Sequence, residues 1–95
     1  MDLIDKYPDK SSHTASRLVD KEAVIIIPED NRVKVLNEVG SRIWGLLDGR
    51  RNIRQIATVI SDEFEVDYDK ALEDVVEFID ELCQRKMVVL KENQK

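Results

Sequence analysis

The apolar positions in the first part of this chain follow the period of β-strands. Residues 24–27 are one valine and three isoleucines, a composition typical of a buried strand. Residues 28–31 (PEDN) are turn formers, and Arg32 to Val35 then alternate strictly between cations and valines. Because successive side chains of a strand point to opposite faces, the two valines share one face and the two cations the other. The pattern predicts a hairpin whose second strand is half exposed, at an edge of its sheet.

Further along the chain, the apolar spacing changes to that of three amphipathic helices. Asn37 is a candidate N-cap for the first helix, and Asn52 with Gln55 resembles a capping box that begins the second. Asp67 is a plausible N-cap for the third and longest helix, at about residues 68–86. Apolar residues three and four positions apart give each helix one buried stripe. These stripes are Val39, Ile43, Leu46 and Leu47; Ile53, Ile56, Ala57, Ile60 and Phe64; and Leu72, Val75, Val76, Ile79, Leu82 and Cys83.

The ends of the chain lack such periodicity. Residues 1–15 mix charges, Ser, Thr and a Pro without an apolar period, which predicts a flexible tail without a role in the fold. Residues 16–19 are a weak candidate for a first strand, and residues 87–90 read as a short closing strand before a charged end at 91–95. A chain of 95 residues holds one small domain, here predicted at residues 16–90.

The charge distribution argues against nucleic acid as the main partner. The net charge is −5; residues 1–54 carry 10 basic and 9 acidic side chains, whereas residues 55–95 carry 5 and 11. A strongly acidic half repels phosphate backbones. A winged-helix DNA-binding protein, with Arg50, Arg51 and Arg54 on phosphates, stays open as an alternative. A generic protein–protein interaction domain is the second alternative.

The sequence predicts a cytoplasmic protein that does not bind membranes. A single cysteine, Cys83, cannot form an intramolecular disulfide, and no apolar run precedes a cleavage site of small residues at the N-terminus. The longest apolar stretch, residues 23–27, falls far short of the roughly 20 residues that a membrane-spanning helix needs.

Residues suited to catalysis or metal binding are sparse. His13 lies in the polar tail, and Cys83 takes an apolar helix position, as a buried structural thiol does. The acidic residues of the third helix lack the glycine turn of a calcium loop and read as its solvated face. The chain has three glycines, and their spacing matches neither a P-loop nor a dinucleotide-binding fingerprint. We therefore expect no enzyme activity, no cofactor and no metal.

The order of the motifs resembles a known family of peptide-recognition domains. After the hairpin come residues 36–38 (LNE), 43–49 (IWGLLDG), 53–56 (IRQI) and 74–79 (DVVEFI). In this order and spacing they resemble the PqqD-like family, the recognition elements of ribosomally made precursor peptides. The resemblance implies an α+β, winged-helix-like fold, with a three-stranded antiparallel N-terminal sheet followed by three helices.

The resemblance also implies a function and a site. A leader peptide would add as an extra strand beside residues 32–36 and lean on the third helix, where main-chain hydrogen bonds give affinity and a groove gives selectivity. The partner enzyme that modifies the peptide would be a radical iron-sulfur enzyme, or a peptidase or cyclase. The implied peptide-binding residues are Arg32, Val33, Lys34, Val35 and Leu36 on the strand, Ala71, Val75, Phe78 and Leu82 on the groove floor, and Asp74, Glu81 and Arg85 at its rim.

Two points qualify this assignment. Ala71 and Phe78 lie at one margin of the apolar stripe of the third helix, so they either line the groove or complete the core. Family members often have a glycine before the final apolar run, where this chain has Lys86. This departure concerns the turn into the last strand and not the binding mode.

Overall fold

The computed structural model describes residues 3–27 and 31–92, which form an α+β fold with two sheets and three helices. A short 3₁₀ helix at Leu3–Asp5 precedes the strands β1 (Tyr7–Lys10), β2 (Ala15–Val19), β3 (Glu22–Ile27) and β4 (Arg32–Val35), the helices α1 (Glu38–Gly45), α2 (Ile53–Phe64) and α3 (Tyr68–Gln84), and the final strand β5 (Val88–Lys91). No helix within these described ranges is long and apolar enough to cross a bilayer.

The strands β2, β3 and β4 form an antiparallel sheet in that spatial order. A turn of two residues joins β2 to β3, since Val19 pairs with Glu22. Asp20 and Lys21 both have positive φ, 50° and 69°, and turns of this kind match the right-handed twist of paired strands. The predicted turn at residues 28–31 lies outside the described residues except for Asn31, whose φ is 53°.

A second sheet pairs the two ends of the chain. β1 runs antiparallel to β5, from Tyr7 opposite Lys91 to Lys10 opposite Val88. Pro8 is buried, and its carbonyl oxygen accepts a hydrogen bond of 3.0 Å from the Gly49 N–H. The expectation that residues 1–15 have no role in the fold is therefore wrong for residues 7–10. The structure therefore has five strands in two sheets, where the resemblance implies a single sheet of three strands.

The helix starts follow the predicted capping residues. Asn37 accepts a hydrogen bond of 2.8 Å from the Gly40 N–H. The predicted capping box is confirmed, because the side chains of Asn52 and Gln55 each bond the backbone N–H of the other. Asp67 takes the N-cap position of α3 but makes no capping hydrogen bond with its side chain.

Lys86 makes the turn from α3 into β5. Its φ is 63°, in the left-handed region that favours glycine, and its N–H donates to the Cys83 carbonyl oxygen at 3.0 Å. The final strand thus forms without the glycine that family members often have at this place.

The hydrophobic core lies between the helices and the inner face of the β2–β3–β4 sheet. Its most deeply buried large side chains include Ile25, Ile43, Leu47, Ile53, Ile56, Ile79 and Leu82. Trp44 is also buried, and its indole N–H donates to the Ser16 hydroxyl at 3.1 Å. A buried Trp usually finds such a partner for its one polar group.

Candidate functional site

β4 is an edge strand in the part of the chain that the structure describes, with β3 on one side and no described strand on the other. The Leu36 N–H donates to the Ala23 carbonyl oxygen at 2.8 Å, toward β3. Successive residues of a strand direct their backbone polar groups to opposite sides, so Lys34 also faces β3. The N–H and C=O groups of Val33 and Val35 therefore point away from the sheet.

The side chains of β4 divide as the alternation predicts. Val33 and Val35 share the outer face of the sheet and are 62% and 60% exposed. Arg32 and Lys34 share the inner face and are half-buried. The charged face thus points toward α3 and the apolar face toward solvent.

Two polar contacts tie β4 to the C-terminal half of α3. The Lys34 ammonium lies 2.9 Å from a Glu81 carboxylate oxygen. The Arg32 guanidinium donates to the Arg85 carbonyl oxygen at 3.2 Å. The hydrogen bond from Lys34 lowers the pKa of Glu81 below its usual range, and Arg85, 3.2 Å away on the same helix, acts in the same direction.

Strand and helix lie side by side and run in opposite directions. Arg32 meets Arg85, Lys34 meets Glu81, and beyond the end of β4 Gly40 meets Phe78. A Cβ at Gly40 would lie 3.1 Å from the Phe78 ring, so the close approach of α1 to this ring depends on glycine. The order of these contacts places Phe78 at the Leu36 end of the strand.

The residues predicted for the groove floor differ in depth. Ala71, Val75 and Leu82 are buried in the core, with exposures of 1%, 0% and 0%. Phe78 is half-buried and packs against that core. The apolar surface that a peptide could reach on this part of α3 is therefore the ring of Phe78.

The predicted rim residues lie on the same flank of α3. Glu81 and Arg85 are neighbours of β4, whereas Asp74 lies two turns earlier on the helix and pairs with Lys70 at 3.1 Å. A surface depression beside them is lined by Glu77, Phe78, Asp80, Glu81 and Gln84. Glu77 was not among the predicted residues, although its position one turn before Glu81 could have indicated it.

Ser41 is a second residue that the sequence did not indicate. Its buried hydroxyl accepts the Ala23 N–H at 2.6 Å and donates to the Leu36 carbonyl oxygen at 3.3 Å. The hydroxyl thus links Ala23 of β3 to Leu36, in place of a direct hydrogen bond from the Ala23 N–H to the Leu36 carbonyl oxygen. This bridge fixes the end of the edge strand against the start of α1.

Three of the groups considered for other chemistry, Cys83, Arg51 and Arg54, are protonated or ion-paired. Burial raises the pKa of the Cys83 thiol, which keeps it protonated and weakly nucleophilic. Among the arginines that DNA binding would use, Arg51 pairs with Asp48 at 2.7 Å and Arg54 with Asp5 at 3.2 Å.

Sequence comparison places the chain in a family. A profile described as "Coenzyme PQQ synthesis protein D (PqqD)" matches residues 22–88. A PqqA binding protein of Rhizobium meliloti (strain 1021) is 31% identical over 67 residues, 70% of this chain and 66% of that protein. A PqqA binding protein of Klebsiella pneumoniae (strain 342) is 35% identical over 69 residues, 73% of this chain and 72% of that protein. The chain belongs to the PqqD family.

Solved structures share the fold. TbiB1 in complex with the TbiA(beta) leader peptide is 26% identical, with a TM-score of 0.78 over 92% of this chain and 99% of TbiB1. The PqqD truncation of Methylobacterium extorquens PqqCD, a functional and stand-alone peptide recognition element, is 21% identical. Its TM-score is 0.75, over 94% of each chain.

Proposed function

We propose that this protein is a non-catalytic domain that binds the leader of a precursor peptide as an added strand on β4 and presents it to a modifying enzyme. The observation that carries the proposal is the edge of β4, which no strand of the described residues pairs with and where the backbone groups of Val33 and Val35 point outward beside α3. An edge of this kind is a ready template for a further strand.

The relatives support the same function. The two curated relatives are named for binding PqqA, and TbiB1 is solved with a leader peptide. The modifying enzyme would be a radical iron-sulfur enzyme, or a peptidase or cyclase. We also propose that the β2–β3–β4 sheet with its three helices corresponds to the winged-helix-like arrangement that the sequence implies, and that the protein acts in the cytoplasm.

The geometry sets what the peptide must provide. Val33 and Val35 offer two N–H donors and two C=O acceptors, so a peptide of a few extended residues can satisfy all four. Each such bond contributes about 0.5–1.5 kcal/mol net. Affinity should therefore depend on the backbone of β4 more than on the side chains of its valines.

A proline substitution tests strand addition, because proline removes the N–H of one residue. The ligand is the leader of a candidate precursor peptide, sought among the reading frames beside this chain's gene, and isothermal titration calorimetry measures its binding. Because the peptide carbonyl would be left without its donor, at a cost of about 1–3 kcal/mol, we expect Val33→Pro and Val35→Pro to weaken binding at least about fivefold. An edge position with an outward N–H tolerates proline, so circular dichroism should show a retained fold.

Val35→Ala is the matched control, because it removes the side chain and keeps the N–H. This variant should bind within about threefold of the parent. Mass spectrometry of the peptide after incubation with the protein alone should show no change in mass. Folded proline variants that bind as tightly as the parent would rule out strand addition, and a peptide altered by this protein alone would rule out a non-catalytic role.

A further inference from the structure

The other edge of the β2–β3–β4 sheet, at β2, is also open within the described residues, where β3 is the only strand that pairs with it. Val24 of β3 directs its backbone groups toward β2, because its neighbour Ala23 bonds Leu36 on the β4 side. The partner of Val24 on β2 is Arg17. The next residue, Leu18, therefore points its N–H and C=O groups away from the sheet.

A cavity of about 320 Å³ lies beside this open edge. Leu18 lines it from β2, together with Gly45 at the end of α1 and Phe64 at the end of α2. Leu18 shares the inner face of the sheet with its buried partner Ala23, yet it is 69% exposed. The same residue thus offers free backbone groups at the edge and an apolar side chain to the cavity.

Gly45 keeps the cavity open. Its φ does not lie in the left-handed region that favours glycine. A Cβ at this position would meet no atom within 4 Å apart from its own helix backbone and its chain neighbours. Glycine is less favourable than alanine in a helix, and neither the backbone nor the packing of the described residues requires it here. The effect of glycine at this position is to leave space beside Leu18.

The charged side chains around the cavity cancel one another. Lys21 and Arg42 are balanced by Glu38 and Glu63, and the Arg42 guanidinium lies 2.8 Å from a Glu63 carboxylate oxygen. A charged side chain that entered would lose hydration without gaining a partner of opposite charge in excess. The lining therefore suits an uncharged, apolar side chain.

We infer that the modifying enzyme docks at this edge with an extended segment, which adds as a strand to β2 and places a large apolar side chain in the cavity. Directly opposed side chains of an antiparallel pair have Cβ atoms about 4.5–5.5 Å apart. The enzyme residue opposite Leu18 would therefore enter the same cavity, and its strand would bond the free N–H and C=O groups of Leu18.

This inference rests on the proposed function and deepens it by giving the enzyme a place. Presentation requires that leader and enzyme are bound at the same time, so the enzyme cannot use the β4 edge. A leader on β4 and an enzyme segment on β2 would lie four strand spacings of about 4.8 Å apart. Both can then occupy opposite edges of one sheet.

The first experiment selects random peptides by display on Val35→Pro, in which strand addition to β4 is impaired. We expect enrichment of uncharged peptides with a large apolar residue. Gly45→Phe should weaken their binding at least about tenfold, because its ring fills the cavity. Gly45→Ala is the matched control, since it adds a Cβ that meets nothing, and it should bind as the parent does. Circular dichroism should show both variants folded.

Leu18→Pro tests the backbone part of the site. It removes the outward N–H and should weaken the selected peptides at least about fivefold beyond Leu18→Ala, which keeps that N–H. An edge position tolerates proline, so the fold should be retained.

The second experiment uses a candidate modifying enzyme, sought among the reading frames beside this chain's gene. Isothermal titration calorimetry should show that Gly45→Phe weakens enzyme binding at least about tenfold and leaves leader binding unchanged. Gly45→Ala should bind the enzyme as the parent does. A selected peptide should compete with the enzyme but not with the leader.

The outcomes separate this inference from the proposed function. If no peptide is enriched, or if the selected peptides bind Gly45→Phe and Gly45→Ala alike, the docking site at β2 is overturned. An enzyme that binds both variants alike also overturns the inference. In each of these cases, leader binding that is lost in Val35→Pro leaves the proposed function standing. A leader that loses affinity for Gly45→Phe but binds Val35→Pro normally would overturn both.

Discussion

Lys34 shows how a charged side chain can lie on the inner face of β4. Its long aliphatic stem can lie along apolar surface while the ammonium group reaches a partner. That partner is Glu81, 2.9 Å away on α3. The pair joins the edge strand to the helix, and it lies where a bound peptide would pass.

A pH titration tests this pair. The pKa of Glu81 is lowered first by the hydrogen bond from Lys34, so we expect the Glu81 carboxyl to titrate below its usual range in a carbon-detected NMR experiment. Lys34→Ala should raise the midpoint. An equal midpoint in both proteins would show that the pair does not form in solution.

The sign of the linked effect on stability follows. Because the pKa of Glu81 is lower in the folded state, the pair stabilises the fold above the unfolded pKa of about 4.3. This contribution disappears as pH falls through the folded pKa. Glu81 is about half exposed, so the loss on acidification should be small.

Among the elements, the β2–β3 hairpin contains a tight turn without the residues that usually signal one in a sequence. Asp20 and Lys21 both adopt positive φ, a conformation for which Asn-Gly or Asp-Gly is the usual pair. A lysine in the left-handed region is strained by about 1–2 kcal/mol, and its neighbours in the hairpin hold it there.

Lys21→Gly should therefore stabilise the protein. Glycine relieves the strain but adds about 0.5–1 kcal/mol of conformational entropy to the unfolded chain, so we expect a net gain of about 0.5–1 kcal/mol in urea denaturation. Lys70→Gly is the matched control, since Lys70 lies inside α3, where glycine costs about 1 kcal/mol. If the two variants are destabilised alike, the turn at Lys21 is not left-handed.

On the scale of the whole molecule, β1 joins the start of the chain to its end. Besides the ladder with β5, the Lys6 carbonyl oxygen accepts from the Ile53 N–H at 3.2 Å. The Lys10 ammonium lies 5.5 Å from the centre of the Trp44 ring. The N-terminal segment thus pairs with the last strand and contacts the end of α1 and the start of α2.

Removal of residues 1–10 should destabilise the protein, because β5 would lose its partner and the site of Pro8 would open to water. With several backbone hydrogen bonds lost at about 0.5–1.5 kcal/mol each, we expect a loss of at least about 2 kcal/mol. Urea denaturation measures it. A truncated protein as stable as the full chain would show that this segment does not stabilise the fold.

Patterns within a few residues were sufficient to predict much of the fold. The strand at residues 24–27, the alternation of Arg32 to Val35 and the caps Asn37 and Asn52 are all present in the structure. Local backbone preference and side-chain period act between near neighbours in the chain, so the sequence displays them directly.

Other features depend on contacts between distant parts of the chain. Alternation in β4 predicts two different faces but not which one points inward; in the structure the charged face points toward α3, where Lys34 pairs with Glu81, 47 positions away. The pairing of β1 with β5, the burial of Ala71 and the outward backbone groups of Val33 and Val35 likewise follow from packing. The local pattern was enough to indicate the hairpin of β3 and β4, the three helices and the strand that lies at the edge. How that edge faces solvent depends on contacts across the molecule, because register and burial are fixed only when distant segments compete for the same core.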